Sequence, residues 1–195
     1  MQFLRILLRY VDYLICALVN CLVFRMKRVD CRTNLRNIKG FVRVYGRGQI
    51  LIEQGARLNS GVRYNPIGGD RELLLVTGTN GRIVIGRNSG LSNCTIVSHS
   101  SVDLGSDVKI GGGVKIYDTD FHILDPVARL SAGSDVPEVK PVIIGDGAFV
   151  GAHSIILKGV TIGENSVVGA GSVVTKNIPE NEIWAGNPAK FIGHV

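Results

Sequence analysis

Between Ile144 and Pro179 the chain falls into six hexads without a gap: IGDGAF, VGAHSI, ILKGVT, IGENSV, VGAGSV and VTKNIP. Each opens on an aliphatic residue (Ile144, Val150, Ile156, Ile162, Val168, Val174). The fifth place is mostly small, at Ala148, Ser154, Ser166 and Ser172, with Val160 and Ile178 as larger exceptions. The same spacing recurs upstream at Ile85, Leu91 and Val97, then at Leu104, Ile110 and Ile116 after one additional residue. Ile52 and Leu58 are isolated earlier members. So short a period, sustained so long, marks a repeat architecture. Each hexad supplies one short strand and one turn, and its aliphatic residue points into a shared interior. Three sides close a triangular coil, so that about 18 residues make one turn and the run from Ile85 makes about four, each packed only on its neighbours.

Two interruptions break this register. The first lies between Leu58 and Ile85 and contains Asn65-Pro66 and Gly68-Gly69. The second separates Ile116 from Ile144 by 28 positions where six are expected, an insertion of 22 residues. A tight solenoid accommodates such a length only as a protruding loop, here over 117–141, and long loops of this kind usually carry function. The expected domains are therefore a helical segment over 1–47 and a coil over 48–195.

The N-terminal segment follows a different pattern. From Phe3 to Phe24 the chain is apolar except at Arg5, Arg9, Asp12 and Asn20, which fall in one narrow stripe of a helix. Its longest uncharged stretch, Tyr13 to Phe24, is 12 residues, short of the ~20 needed to span a bilayer. Arg25-Met26-Lys27-Arg28 follows, where a secretory leader would place small residues for cleavage. Residues 3–28 thus read either as an interfacial helix in peripheral contact with an anionic membrane or as a helix packed on its own domain or on a partner subunit.

Composition agrees with the coil. Gly is 25 of 195 residues and aromatic residues are 6%, which disfavours a helical bundle, while 45% hydrophobic residues exclude a disordered chain. The net charge of +6 suggests nucleic-acid binding until it is divided along the chain. Residues 1–47 carry +8 and the remainder −2, so the basic character belongs to the N-terminal segment and no nucleic-acid partner is expected. Cys16, Cys21, Cys31 and Cys94 form no C-x-x-C pair and read as buried free thiols of a reducing compartment.

The long insertion opens Tyr117-Asp118-Thr119-Asp120-Phe121-His122. Histidine suits proton transfer near neutrality, and His122 stands beside acidic groups at the root of the loop. Hexads, D-T-D-F-H at 118–122, and the closing stretch GVTIGENSVVGAGSVVTKNIPENEIWAGNPAK at 159–190 together resemble the hexapeptide-repeat acyltransferases. The likeness is to sugar O-acetyltransferases of the maltose, galactoside and capsular-polysaccharide type, and it covers about residues 50–193.

The resemblance implies an all-β fold, a left-handed parallel β-helix with a short N-terminal α-helical segment and one protruding loop. It implies a homotrimer with sites between subunits, and acetyl-CoA as co-substrate with no metal. His122 would be the general base for direct transfer to a sugar hydroxyl of a cell-surface or capsular polysaccharide precursor, small or lipid-linked. Asp118 or Asp120 would orient its imidazole. Coenzyme A would lie along small residues (Gly151, Ala152, Gly169, Ala170, Gly171), its phosphates near Lys176 and Lys190. Asn93, Tyr117 and Phe121 would meet the acceptor. The expected location is the cytoplasm, at the inner face of the cytoplasmic membrane. Three other readings stay open: N-acetylation of an amino sugar, a non-catalytic trimeric scaffold, and a zinc enzyme using His99, His122 and His153. In the last case His99 and His153 would be ligands rather than structural residues of the hexads.

Overall fold

The structure, a computed structural model, describes residues 2–69, 72–131, 133 and 135–195. Three parallel sheets form the sides of a prism, and successive strands pass from one side to the next. The first side holds Asp30–Cys31, Gln49–Ile52, Arg82–Ile85, Ser101–Leu104, Val142–Ile144 and Thr161–Ile162. The second holds Ile38–Lys39, Arg57–Asn59, Gly90–Ser92, Lys109–Ile110, Phe149–Val150, Val167–Val168 and Glu182–Gly186, with Ala189–His194 folding back antiparallel. The third holds Arg43–Gly46, Leu74–Thr77, Thr95–Ser98, Lys115–Tyr117, Ile155–Ile156 and Val173–Val174.

The hexad aliphatics meet in register inside this prism. Ile52, Ile85, Leu104, Ile144 and Ile162 stack along one side. Leu58, Leu91, Ile110, Val150 and Val168 stack along the next. The third stack corrects the sequence register by one residue. Ile96, not Val97, pairs with Leu75 and Ile116, because the step from Leu91 round the corner at Asn93 is five residues rather than six. The whole stack is buried, and apolar burial of this kind is the main favourable term in folding.

The glycines at the second hexad place answer to close stacking of the coils. A Cβ on Gly151 would lie 2.5 Å from the Ala170 amide nitrogen, and one on Gly111 would lie 2.6 Å from that of Ala152. No side chain fits there.

The coil also begins earlier than residue 48. Asp30–Cys31, Ile38–Lys39 and Arg43–Gly46 add a strand to each of the three sides, so residues 30–46 belong to the solenoid rather than to a separate segment. What stands outside is helix α1 (Gln2–Met26). Asp12 and Asn20 of its polar stripe face the coil. Asn20 is fully buried, its amide donating to the Gly40 carbonyl at 2.8 Å and accepting from the Val42 amide at 3.0 Å. Asp12 takes the Tyr64 hydroxyl at 2.6 Å and pairs with Arg63 at 2.7 Å, and burial together with that bond to Asp12 pushes the Tyr64 phenol up to about 12. Cys16 and Phe24 complete the packed face; the side chains of Arg5 and Arg9 lie outside the described residues. All four thiols are free, Cys16 and Cys94 buried but Cys21 exposed, which corrects the expectation that all are buried. Burial pushes Cys94 up to about 12, leaving it an inert core group.

Candidate active site

The edge joining the third side to the first is where the long insertion leaves the coil. After Lys115–Tyr117 the chain runs outward and returns at Val142–Ile144. Its root is held as a short antiparallel ladder. Thr119 bridges Val139, the Lys140 amide donates to the Asp118 carbonyl at 2.9 Å, and the Asp120 amide donates to that of Glu138 at 3.2 Å. Helix α2 (Pro126–Leu130) lies further out, capped by the Asp125 carboxylate on the Ala128 amide and started by proline.

The carboxylate beside His122 is Asp135, which the sequence reading did not single out. One of its oxygens meets His122 Nδ1 at 2.5 Å, and the other accepts from the Ile123 amide at 2.8 Å. Bonding to His122 first, and to that amide second, holds the Asp135 carboxyl below its ordinary value. A carboxylate only accepts, so Nδ1 carries the proton and Nε2 of the neutral ring keeps its lone pair. The His122 side chain is 68% exposed, and that lone pair is open to an incoming group.

Neither of the two predicted acids orients the imidazole. Asp118 is fully buried and caps the preceding coil. It accepts from the Ser98 hydroxyl at 3.0 Å, from the His99 amide at 2.8 Å and from the Ser100 amide at 2.7 Å. Its short side chain, just after Tyr117, points inward, where the His99 and Ser100 amides need an acceptor. Asp120 pairs with Lys158 at 3.1 Å, and Lys158 also meets Glu138 at 2.8 Å. Lys140 reaches the other Glu138 oxygen at 2.7 Å. The loop is thus pinned by a lysine from the next turn of the coil.

The two ammonium groups hold the Glu138 carboxyl down to about 2, against an ordinary value of 4.5. Because its value in the folded chain is depressed, this contact is fully present above the ordinary value and is lost as pH falls toward 2. Carbon-13 titration of the side-chain carboxyls should therefore show Glu138 inflecting near 2, and moving back toward its ordinary range in Lys158→Gln. A wild-type inflection in the ordinary range would contradict the anchoring.

Other predicted residues separate into three places. Tyr117 and Phe121 form an edge-to-face pair with centroids 5.1 Å apart at the loop root. Phe121 is held in the left-handed region (φ 66°) with its amide bonded to the Thr119 hydroxyl, and it remains half exposed beside His122. Asn93 is buried and structural in its contacts, accepting from the Gly61 amide at 2.7 Å and donating to the Asn65 carbonyl at 2.8 Å. It ties down the first insertion and offers no free amide to an acceptor.

Gly151, Ala152, Gly169, Ala170 and Gly171 stack on one another along the edge between the second and third sides. There the Gly151 amide bonds the Val168 carbonyl and the Gly171 amide bonds that of Ala152, both at 2.8 Å. Gly171 alone of these glycines opens to free space. Lys176 follows the last strand of the third side, on the loop's own edge, and Lys190 lies on the final hairpin. A single chain therefore places the small-residue edge and the His122 loop on different edges of the prism.

His99 and His153 are exposed and lie over Gly78 and Gly113. Among the described residues no three His, Cys, Asp or Glu side chains converge on a point that could hold a metal ion.

Comparison with known proteins follows the same features. The family described as hexapeptide repeat of succinyl-transferase matches residues 141–176. A galactoside acetyltransferase, solved in complex with coenzyme A, is 30% identical over 89% of this chain and 68% of its own, with a TM-score of 0.58. The chain belongs to the hexapeptide-repeat acyltransferase family. Nodulation protein L of Rhizobium leguminosarum bv. viciae is 48% identical over 98 residues, half of each chain. Polysialic acid O-acetyltransferase of Neisseria meningitidis is 36% identical over 70 residues, 36% of this chain and 31% of that one. The chain spans about half the length, or less, of these curated relatives.

Proposed function

We propose that the chain is an acetyltransferase that moves the acetyl group of acetyl-CoA directly to a hydroxyl of a sugar. The observation that carries this reading is the His122–Asp135 pair on the projecting loop, with Nδ1 occupied and Nε2 exposed. Nε2 takes the proton of the acceptor hydroxyl as its oxygen attacks the thioester carbonyl. The tetrahedral intermediate then collapses, the carbon–sulfur bond breaks, and the proton passes from the imidazolium to the departing sulfur. Asp135 steadies the imidazolium between those two events. Backbone amides stabilise the developing oxyanion. No acyl-enzyme is required.

Family membership and the galactoside acetyltransferase bound to coenzyme A support the donor. Polysialic acid O-acetyltransferase supports a sugar hydroxyl, in a polysaccharide or its precursor, as acceptor. We further propose a left-handed coil and a homotrimer. The support for the trimer is the separation just described. The edge of small residues and the loop bearing His122 are apart in one chain, and a neighbouring copy can bring its own small-residue edge to that loop. Gly171 and Lys176 would then border the coenzyme. A cytoplasmic location, where acetyl-CoA is made, follows from this reading.

An acceptor screen that follows free thiol tests it, with sugars offering only hydroxyls set against amino sugars. Thiol release with hydroxyl sugars is expected; release confined to amino sugars would convert the reading to N-acetylation, and none at all would favour a scaffold. Asp135→Asn provides a second test, because it acts through the imidazole. We expect kcat to fall on the order of 10- to 100-fold while KM for acetyl-CoA stays near the wild-type value, with partial rescue by Asp135→Glu. A rise in KM with unchanged kcat would instead make Asp135 a binding group.

A further inference from the structure

The face that α1 turns away from the coil is apolar from Leu7 to Leu22, with Arg25 exposed on the same face one turn further on. Leu7, Leu8, Val11, Leu14, Ile15, Leu18, Val19 and Leu22 are all exposed, Leu18 by 63%. At ~100° per residue they fill one half of the helix circumference, while Cys16, Asn20 and Phe24 lie on the other. The arrangement inverts that of an ordinary surface helix, whose apolar stripe faces the core. The polar residues Asp12 and Asn20 are spent on holding the helix to the coil. A contiguous exposed apolar surface of this kind marks an interaction site.

The occupant follows from the charge around that face. Met26, at its end, shares a cleft of about 390 Å³ with Lys27, Arg28 and Arg47. Neither Arg25 nor any of these three cations has an acidic partner among the described residues. An apolar half-cylinder bordered by unpaired cations complements an anionic bilayer, with acyl chains against the leucines and phosphates against the lysines and arginines. A second copy of the chain would bring the same positive charge to the contact and repel it. No helix among the described residues is long and apolar enough to cross a membrane, so contact is made lengthwise, in the plane of the interface.

We infer that α1 is a monotopic anchor, docking the coil on an anionic lipid surface through the side that carries Leu14 and Leu18. This inference is independent of the chemistry at His122. The test uses the full chain and sedimentation with vesicles of phosphatidylcholine alone or mixed with phosphatidylglycerol. The chain is expected to pellet with the anionic vesicles, to remain in solution with the zwitterionic ones, and to be released as salt rises. Leu18→Glu places a charge on the outward face without touching the coil, and binding should weaken by about tenfold or more. Lys27→Glu should weaken it by about tenfold, chiefly at low salt. Unchanged thermal unfolding in both variants confirms that the coil is intact. If the wild-type chain ignores anionic vesicles, or if both variants bind as well as wild type, the inference is overturned. A loss of oligomeric mass in Leu18→Glu, with no vesicle binding by wild type, would assign the face to a second copy instead.

Discussion

Replacing His122 with alanine is expected to lower acetyl transfer by about 10²- to 10⁴-fold, the usual contribution of a general base. Thermal stability should hardly move. The side chain is two-thirds exposed, and its partner among the described residues, Asp135, keeps a second bond to the Ile123 amide when the imidazole is gone. Substitutions at so open a position usually stay within about 0.5 kcal/mol. Parallel measurement of thiol release and of the unfolding midpoint checks both halves. A rate within a few-fold of wild type would remove His122 from the chemistry. A collapsed midpoint would show that the loop, not the base, had been tested.

Asp118→Ala should give the opposite pair of results. Its carboxylate is fully buried and satisfies the Ser98 hydroxyl and the amides of His99 and Ser100. Alanine leaves the His99 and Ser100 amides without an acceptor at roughly 1 kcal/mol or more each, while the Ser98 hydroxyl keeps the Arg82 carbonyl at 2.9 Å, so stability should fall by about 2–4 kcal/mol. For a chain of this size that lowers the unfolding midpoint by about 5–15 °C. Calorimetry checks the prediction, and Asp118→Asn, which keeps one acceptor oxygen, should fall in between. A midpoint unchanged in Asp118→Ala would mean that water replaces the carboxylate at no cost, and that the corner is not held as described.

These two residues stand four positions apart in one motif, yet only their surroundings tell them apart. The repeat was legible in the sequence because each hexad aliphatic has the same task, and a period of six survives every change of partner. The edges of the coil were harder to read. Strands such as Asp30–Cys31 and Leu74–Thr77 pair in register without the small fifth residue that marks a hexad. The shift from Val97 to Ile96 comes from one five-residue step after Leu91, and with Ile96 and Val97 both aliphatic the pattern alone cannot place it.

At the site, the loop and its histidine stood out as a break in the repeat, but the histidine's partner did not. Asp135 lies 13 residues beyond His122 in an irregular segment. Only the fold of the loop brings it back, so proximity in sequence favoured Asp118 and Asp120. Both of those are committed elsewhere, one to the preceding corner and one to Lys158. The N-terminal helix shows the same limit from the other side. Its polar stripe was visible as a pattern, while the direction in which Asn20 points depends on the Gly40 carbonyl that accepts from it and the Val42 amide that donates to it.

Direct transfer from acetyl-CoA to a sugar hydroxyl, with His122 as base, is the step on which the proposed function stands. The most direct measurement uses acetyl-CoA labelled with carbon-13 in the acetyl group, incubated with a hydroxyl sugar and either the wild-type chain or His122→Ala, followed by mass spectrometry of sugar and protein. Labelled acetyl is expected on the sugar as an ester that hydroxylamine removes, formed by the wild-type chain and not by the variant, with no label on the protein at any time. Label trapped on the protein, or an equal yield of ester from His122→Ala, would contradict it.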